Sequence, residues 1–271
     1  MAVAVAQRTP LLQVRGVSKR FGAVQALSDV DFEVFSHEVV GLVGDNGAGK
    51  STLIKAIAGT YQPDAGEFFF EGRRITLHGP RDAQALGIAT VYQDLALADN
   101  LDVVANLFLG REELIGPRGP FGFVNEVPME RKAIEVLRNL AVKIPSVRIQ
   151  VASLSGGQRQ SVAVSRAVMW DAKLVVLDEP TAALGVAQTK QVLDLIKRLR
   201  DQGLGILVIS HNLADVFEVV DRIVVLRLGR RVASFDVKTA TREQVVSAIT
   251  GAELGETVAE DLAADDTELP T

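Results

Sequence analysis

Gly44, Asp45, Asn46, Gly47, Ala48, Gly49, Lys50 and Ser51 set glycines, a lysine and a hydroxyl in the order G-x-x-x-x-G-K-S. That spacing suits the cradling of a phosphate chain. The glycines let backbone N–H groups turn inward around phosphate oxygens, and the positive end of the helix that follows adds its field. Lys50 then reaches the outer phosphates, and Ser51 is the expected Mg2+ ligand. A second group is Leu174-Val-Val-Leu-Asp-Glu179, an apolar run ending in two adjacent carboxylates. Such a pair is costly at the end of a buried strand unless something there uses the charge. Asp178 is expected to hold Mg2+ or its waters, and Glu179 to orient or deprotonate an attacking water. Pro180 fits a plain turn as well.

A third group is Leu154-Ser-Gly-Gly-Gln158. Ser155 and Gln158 have the spacing of a capping box, opening a helix to about Met169. Gly156 and Gly157 give up helix propensity in that first turn, which suits bare backbone approaching an anion.

These groups need strands and helices to carry them. Glu38–Val43 reads as a buried strand and Lys50–Gly59 as a helix with Leu53, Ile54 and Ile57 on one face, so the glycine loop joins strand to helix. Ile88–Tyr92, Leu174–Leu177 and Gly205–Ile209 read as further buried strands of a mostly parallel α/β sheet. From Leu11 to about Phe35 the runs are β-rich, and Val30, Phe32 and Val34 alternate with Asp31, Glu33 and Phe35 as in a sheet with one wet face. Leu101–Gly110 and Met129–Ala141 have helical spacing and predict a helical subdomain, with Gly116–Gly122 as the loop between them. A further helix is predicted over Gln188–Arg200, stopping at Gly203.

The 271 residues are 48% hydrophobic and 23% charged, enough apolar content to fold around a core. A net charge of −5 supplies no basic field for nucleic acid. With no cysteine, disulfides and thiolate metal sites are excluded. The start, Met1–Pro10, has no basic segment ahead of its short apolar run and reads as no export signal. No run approaches the roughly 18 to 20 apolar residues of a membrane-spanning helix. Past Gly251 the chain is acidic, and residues 252–271 read as a solvated tail.

The glycine loop, Leu-Ser-Gly-Gly-Gln and Leu-Asp-Glu-Pro, in that order, resemble the ATP-binding cassette family over roughly residues 10–250. The resemblance implies an α/β P-loop NTPase core with a mostly parallel sheet, an antiparallel β subdomain and an α-helical subdomain at about 94–170. It implies that Phe21 stacks on adenine, that Thr52 assists Ser51, and that Gln93 touches Mg2+ and water and senses a membrane partner. It also implies that His211 contacts the γ-phosphate. Cassettes of this family pair head to tail, so Ser155, Gly156, Gly157 and Gln158 are expected to close on ATP held by another copy or a related cassette. Ala182-Ala-Leu-Gly185 departs from the family's Ser-Ala-Leu-Asp, lacking the aspartate that helps couple the two sites. Thr181–Val186, Tyr92–Leu97 and Asn106–Glu112 are similar to ATPase subunits of monosaccharide importers. The resemblance thus implies ATP hydrolysis at the cytoplasmic face of a membrane, permease subunits as partners and a sugar-binding protein as an indirect one. An importer of nucleosides or another small solute, and a soluble cassette outside transport, remain open at this point.

Overall fold

The computed structural model describes residues 9–116 and 122–252. The middle of the Gly116–Gly122 stretch and the acidic tail from Glu253 onward lie outside the described residues.

β1 (Leu12–Phe21) turns at Gly22 into β2 (Val24–Val34), and β3 (Glu38–Val43) leads through the glycine loop into α1 (Lys50–Ile57). The hairpin β4 (Ala65–Phe70) and β5 (Arg73–Ile75) precedes α2 (Pro80–Ala85) and β6 (Ile88–Val91). Next come α3 (Val103–Phe108), β7 (Leu114–Ile115), β8 (Phe123–Val124) and α4 (Glu126–Asn139). A 3-10 turn at Val151–Ser153 opens onto α5 (Gly156–Val168) and β9 (Leu174–Asp178). The chain ends with α6 (Val186–Asp201), β10 (Gly205–Ile209), α7 (Leu213–Val219), β11 (Arg222–Arg227), β12 (Arg230–Asp236) and α8 (Arg242–Thr250).

Two main sheets result. One has the order β2-β1-β4-β5 and is antiparallel throughout. The other has the order β12-β11-β3-β10-β9-β6, parallel from β11 to β6, with β12 antiparallel at its edge. The apolar runs of β3, β9 and β10 are buried on both faces, as parallel strands between layers must be. On β2, Val30, Phe32 and Val34 are buried while Asp31 is exposed, so that strand has one wet face.

One apolar layer, including Leu27, Phe32, Leu42, Leu53, Phe68 and Leu207, fills the space between the two sheets around α1. A second, with Val39, Leu177, Leu195, Ile196 and Val216, covers the other face of the parallel sheet with α6 and α7. A third gathers Val103, Leu107, Phe108, Met129, Leu137 and Val162 from α3, α4 and α5. Trp170 closes one end of it, edge-on to Phe108 with ring centroids 5.5 Å apart.

α3, α4 and the segment between them differ from the periodicity. α3 starts at Val103 rather than Leu101 because Asp102 caps it, its carboxylate accepting from Ala105 N at 2.7 Å. α4 starts at Glu126 rather than Met129, since Pro128 in a first turn removes an N–H that has no helical partner there. The residues around the Gly116–Gly122 loop pair as a small hairpin, Leu114 opposite Val124 and Ile115 opposite Phe123.

The segment after β6 is clamped to the helices by two side chains. Asn106, fully buried, accepts from Ala98 N at 2.7 Å and donates to Ala98 O at 3.0 Å, Leu101 O at 3.3 Å and Asp102 O at 2.9 Å. Arg166 of α5 donates to Ala96 O at 2.7 Å and Leu95 O at 2.9 Å, across a turn where both residues have positive φ. Burial pulls the Arg166 guanidinium below its ordinary pKa. Replacing Asn106 with Ala orphans several backbone groups and is expected to destabilise the fold by about 2 kcal/mol. A urea titration should show a lowered midpoint with an unchanged slope. A midpoint equal to the parent's would mean that the clamp adds nothing to stability.

Candidate active site

The parallel register decides where the chemistry-bearing residues emerge. Ile209 of β10 lies opposite Leu42 of β3 on one side and Asp178 of β9 on the other, and Val91 of β6 lies opposite Leu177. The four strands run the same way. The glycine loop, Asp178–Glu179, Ser210–His211 and Gln93 therefore all leave from one edge, where an open α/β sheet offers its crevice.

The glycine loop is built tightly against other elements. Gly49 has φ 103°, and a Cβ there would stand 2.6 Å from Ala26 O of β2, so only glycine fits. Gly229 N, in the turn between β11 and β12, donates to Ala48 O at 3.1 Å, and Gly229 O accepts from Ser28 N at 2.8 Å. The antiparallel sheet and the far hairpin thus fix the loop from outside. Within it, Asn46 N donates to Asp45 Oδ1 at 2.7 Å and Ala48 N to Asp45 O at 3.1 Å. Lys50 Nζ donates to Gly44 O at 2.7 Å and Asp45 O at 3.0 Å, folding over the loop. α1 has no side-chain cap, which leaves first-turn N–H groups available to an anion. Ser51 is exposed in that turn, beside the partly buried Thr52.

Facing them are the carboxylates. Burial raises the pKa of Asp178, the charge of Glu179 raises it further, and Lys50 and Lys55 pull it down. Burial also lowers the pKa of Lys50, against the opposing pull of Glu179, Asp45 and Asp178. Both charges are thus partly out of water. Ser51 offers a hydroxyl, Asp178 a carboxylate and Gln93 an amide oxygen, a hard-oxygen set of the kind Mg2+ completes with phosphates and water. Glu179 sits at φ 50°, a left-handed conformation costing a non-glycine residue about 1 kcal/mol or more. His211 Nδ1 lies 2.9 Å from Glu179 Oε2, and the His211 backbone N donates to the same oxygen at 3.4 Å. The imidazole itself is 76% exposed, so its free edge is open to a ligand.

Gln93 and Phe21, also singled out in the sequence, are exposed. Gln93 is exposed two residues beyond β6 and has no hydrogen bond among the described residues. Phe21, at the end of β1 and 41% exposed, meets Tyr61 edge-to-face with centroids 5.1 Å apart. Lys19 Nζ lies 5.5 Å from the centre of the Phe21 ring. Nothing local in the sequence distinguishes Tyr61; only the chain's return after α1 brings it to Phe21.

Ser155 caps α5: Gln158 N donates to its Oγ at 3.3 Å, while Ser155 N donates to Gln158 Oε1 at 3.0 Å. Among the described residues no hydrogen bond or ion pair joins Ser155, Gly156, Gly157 or Gln158 to the glycine loop. The structure gives the two glycines a packing reason as well. A Cβ on Gly156 would stand 2.9 Å from Leu184 Cδ2, and one on Gly157 2.9 Å from Gln188 Cβ. Gly185 starts α6 without a side-chain acceptor, and its N–H instead meets Gln188 Oε1 at 3.4 Å.

The raised pKa of Asp178 carries a stability consequence. The folded state holds this proton more tightly than the unfolded one, so stability falls as pH rises from the unfolded value through the folded one. Above both values the ionised carboxylate is a net cost. Asp178→Asn should therefore raise the melting temperature of the nucleotide-free chain at neutral pH, by about 2 °C. The gain should vanish below about pH 4. A variant that melts lower across the whole range would contradict this electrostatic account.

Comparison with known proteins agrees with this geometry. The family model for the ABC transporter matches residues 27–182. The chain is 45% identical over 245 residues to the xylose/arabinose import ATP-binding protein XylG of Sulfolobus acidocaldarius, covering 90% of this chain and 96% of that protein. It is 46% identical over 246 residues to the fructose import ATP-binding protein FrcA of Rhizobium meliloti, covering 90% and 95%. A crystal structure of the ADP conformation of an ATP-binding cassette of an ABC transporter superposes with a TM-score of 0.75 at 27% identity, over 90% of this chain and 96% of that one. With the glycine loop, the acidic strand end and the capped Gly-Gly helix set on this fold, the chain belongs to the ABC transporter family, as one of its ATP-binding cassettes.

Proposed function

We propose that this cassette is the ATP-hydrolysing subunit of a sugar importer. One observation carries the catalytic part of the reading: Lys50 and Asp178, each partly out of water, and the Glu179–His211 pair converge at one sheet edge, with the helix N-terminus uncapped beside them. Its likeness to the xylose/arabinose and fructose import ATP-binding proteins supports sugar as the cargo.

In this reading the loop N–H groups and Lys50 bind the phosphates, Phe21 with Tyr61 supports the adenine, and Thr52 assists Ser51. Ser51, Asp178 and Gln93 would hold Mg2+, which would supply positive charge to the phosphates when bound. Glu179 accepts a proton from the attacking water. His211 meets the γ-phosphate through Nε2, which must then carry a proton. Either the ring is an imidazolium shared between Glu179 and phosphate, or nucleotide draws it away from Glu179 and frees that carboxylate for water.

Ser155, Gly156, Gly157 and Gln158, exposed or turned to neighbours within the chain, serve ATP held by a second cassette. The cleft beside Gln93, about 360 Å³ and lined by Tyr92, Leu95, Leu107, Arg111, Arg166 and Trp170, receives the membrane permease. Loading of the permease by a sugar-binding protein completes the importer. Among the described residues no helix is long and apolar enough to cross a membrane, so the membrane path falls to the permease.

Glu179→Gln keeps the shape and removes the base. It should lower ATP turnover by at least about a hundredfold while ATP binding, measured with a fluorescent analogue, stays within a fewfold of the parent. Cells whose only copy carries this variant should lose uptake of the transported sugar in a screen of labelled pentoses and hexoses. Undiminished turnover would remove Glu179 from the base role. Loss of turnover without loss of uptake of any sugar tested would contradict the cargo assignment.

A further inference from the structure

Two side-chain bridges join the loops that follow β9 and β10. One is the contact between Glu179 and His211. The other lies two residues further along the first loop and four further along the second: Thr181 Oγ1–H donates to Asp215 Oδ2 at 2.7 Å. Thr181 is 8% exposed, and this is its only side-chain hydrogen bond among the described residues. Asp215 is half-buried in the first turn of α7, where a carboxylate also suits the helix end.

The backbone on either side of the second bridge is strained. Glu179 and Ala183 both have positive φ, 50° and 59°. Non-glycine residues keep such conformations only where their surroundings over-determine them. Backbone bonds secure the start of the turn and close it on itself: Glu179 N donates to Ile209 O at 2.9 Å, Ala182 N to Glu179 O at 3.1 Å and Leu184 N to Thr181 O at 3.3 Å. Among the described residues, the Thr181–Asp215 bond is the one hydrogen bond that ties the middle of the turn to another element.

We propose that Asp215 is a positioning residue for hydrolysis: through the Thr181 hydroxyl it keeps the left-handed turn at Glu179 in register with His211. The inference rests on the roles proposed above for Glu179 and His211. Asp215 acts on the γ-phosphate only through that turn, so its loss should disturb the chemical step and spare nucleotide binding. The side chain needs only an acceptor oxygen, and residue 181 only a hydroxyl.

Steady-state ATP hydrolysis by the full chain tests this with Asp215→Ala, Asp215→Asn, Thr181→Val, Thr181→Ser and the double variant Thr181→Val/Asp215→Ala. Asp215→Ala and Thr181→Val should each lower kcat about tenfold with KM for ATP within about twofold of the parent. Asp215→Asn and Thr181→Ser, which keep acceptor and donor, should stay within about threefold of the parent kcat. The double variant should be no slower than the slower single one, because both break the same bond. In the nucleotide-free chain, amide exchange over residues 179–184 should quicken in Asp215→Ala and not in Asp215→Asn. If Asp215→Ala does not fold, Thr181→Val carries the same test. Parental kcat in the Ala and Val variants, a raised KM at constant kcat, or losses that multiply in the double variant would each overturn the assignment. Parental turnover in Glu179→Gln would instead remove the reading beneath it, a failure that leaves the Asp215 variants uninvolved and so can be told apart.

Discussion

The structure depends on the parallel pairing of β3, β10, β9 and β6, apolar strands whose carboxyl ends lie level. The strands carry no charged side chain inside the layer, so every charge they deliver is delivered at their ends. There Lys50 and Asp178 lose part of their hydration, each shifted by burial in the direction that disfavours its charge. A site built this way is poorly satisfied by the chain's own groups. It is better satisfied by a ligand carrying both strong negative charge and a hard cation, which is what a nucleotide with Mg2+ brings.

The rest of the molecule holds that edge in shape. The antiparallel sheet and the turn at Gly229 press on the glycine loop from one side. α5 and α3 hold the segment after Gln93 from the other, through Arg166 and Asn106. Left-handed residues outside glycine recur near the edge, at Leu95, Ala96, Glu179 and Ala183. Each stands in a turn with a hydrogen-bonded clamp close by, the pattern expected where strain is kept for function.

Much of this was legible in the chain alone, wherever local order and chemistry coincide. Gly44 to Ser51 needs only its own spacing to declare a glycine loop between strand and helix, and the unbroken apolar runs of β3, β9 and β10 need only their length to declare buried strands. What escaped depends on distant partners. β12 and β5 expose most of their residues, so no alternation marks them; they are strands because β11 and β4 pair with them. Tyr61 and Asp215 look ordinary until the fold sets them against Phe21 and Thr181. Gly156 and Gly157 show another such dependence: beside the bare backbone their types suggest, a Cβ at Gly157 would press on Gln188 and one at Gly156 on the tip of Leu184, neighbours that only the fold supplies.

With one chain carrying half of each site, as proposed above, hydrolysis needs a second cassette to supply Ser155 and its neighbours. The most direct measurement is the specific rate of ATP hydrolysis against protein concentration, with the dimer fraction followed by light scattering in the same samples. A site shared between two cassettes gives a specific rate that rises with concentration and tracks an ATP-dependent dimer. A constant specific rate from a chain that stays monomeric throughout would contradict it.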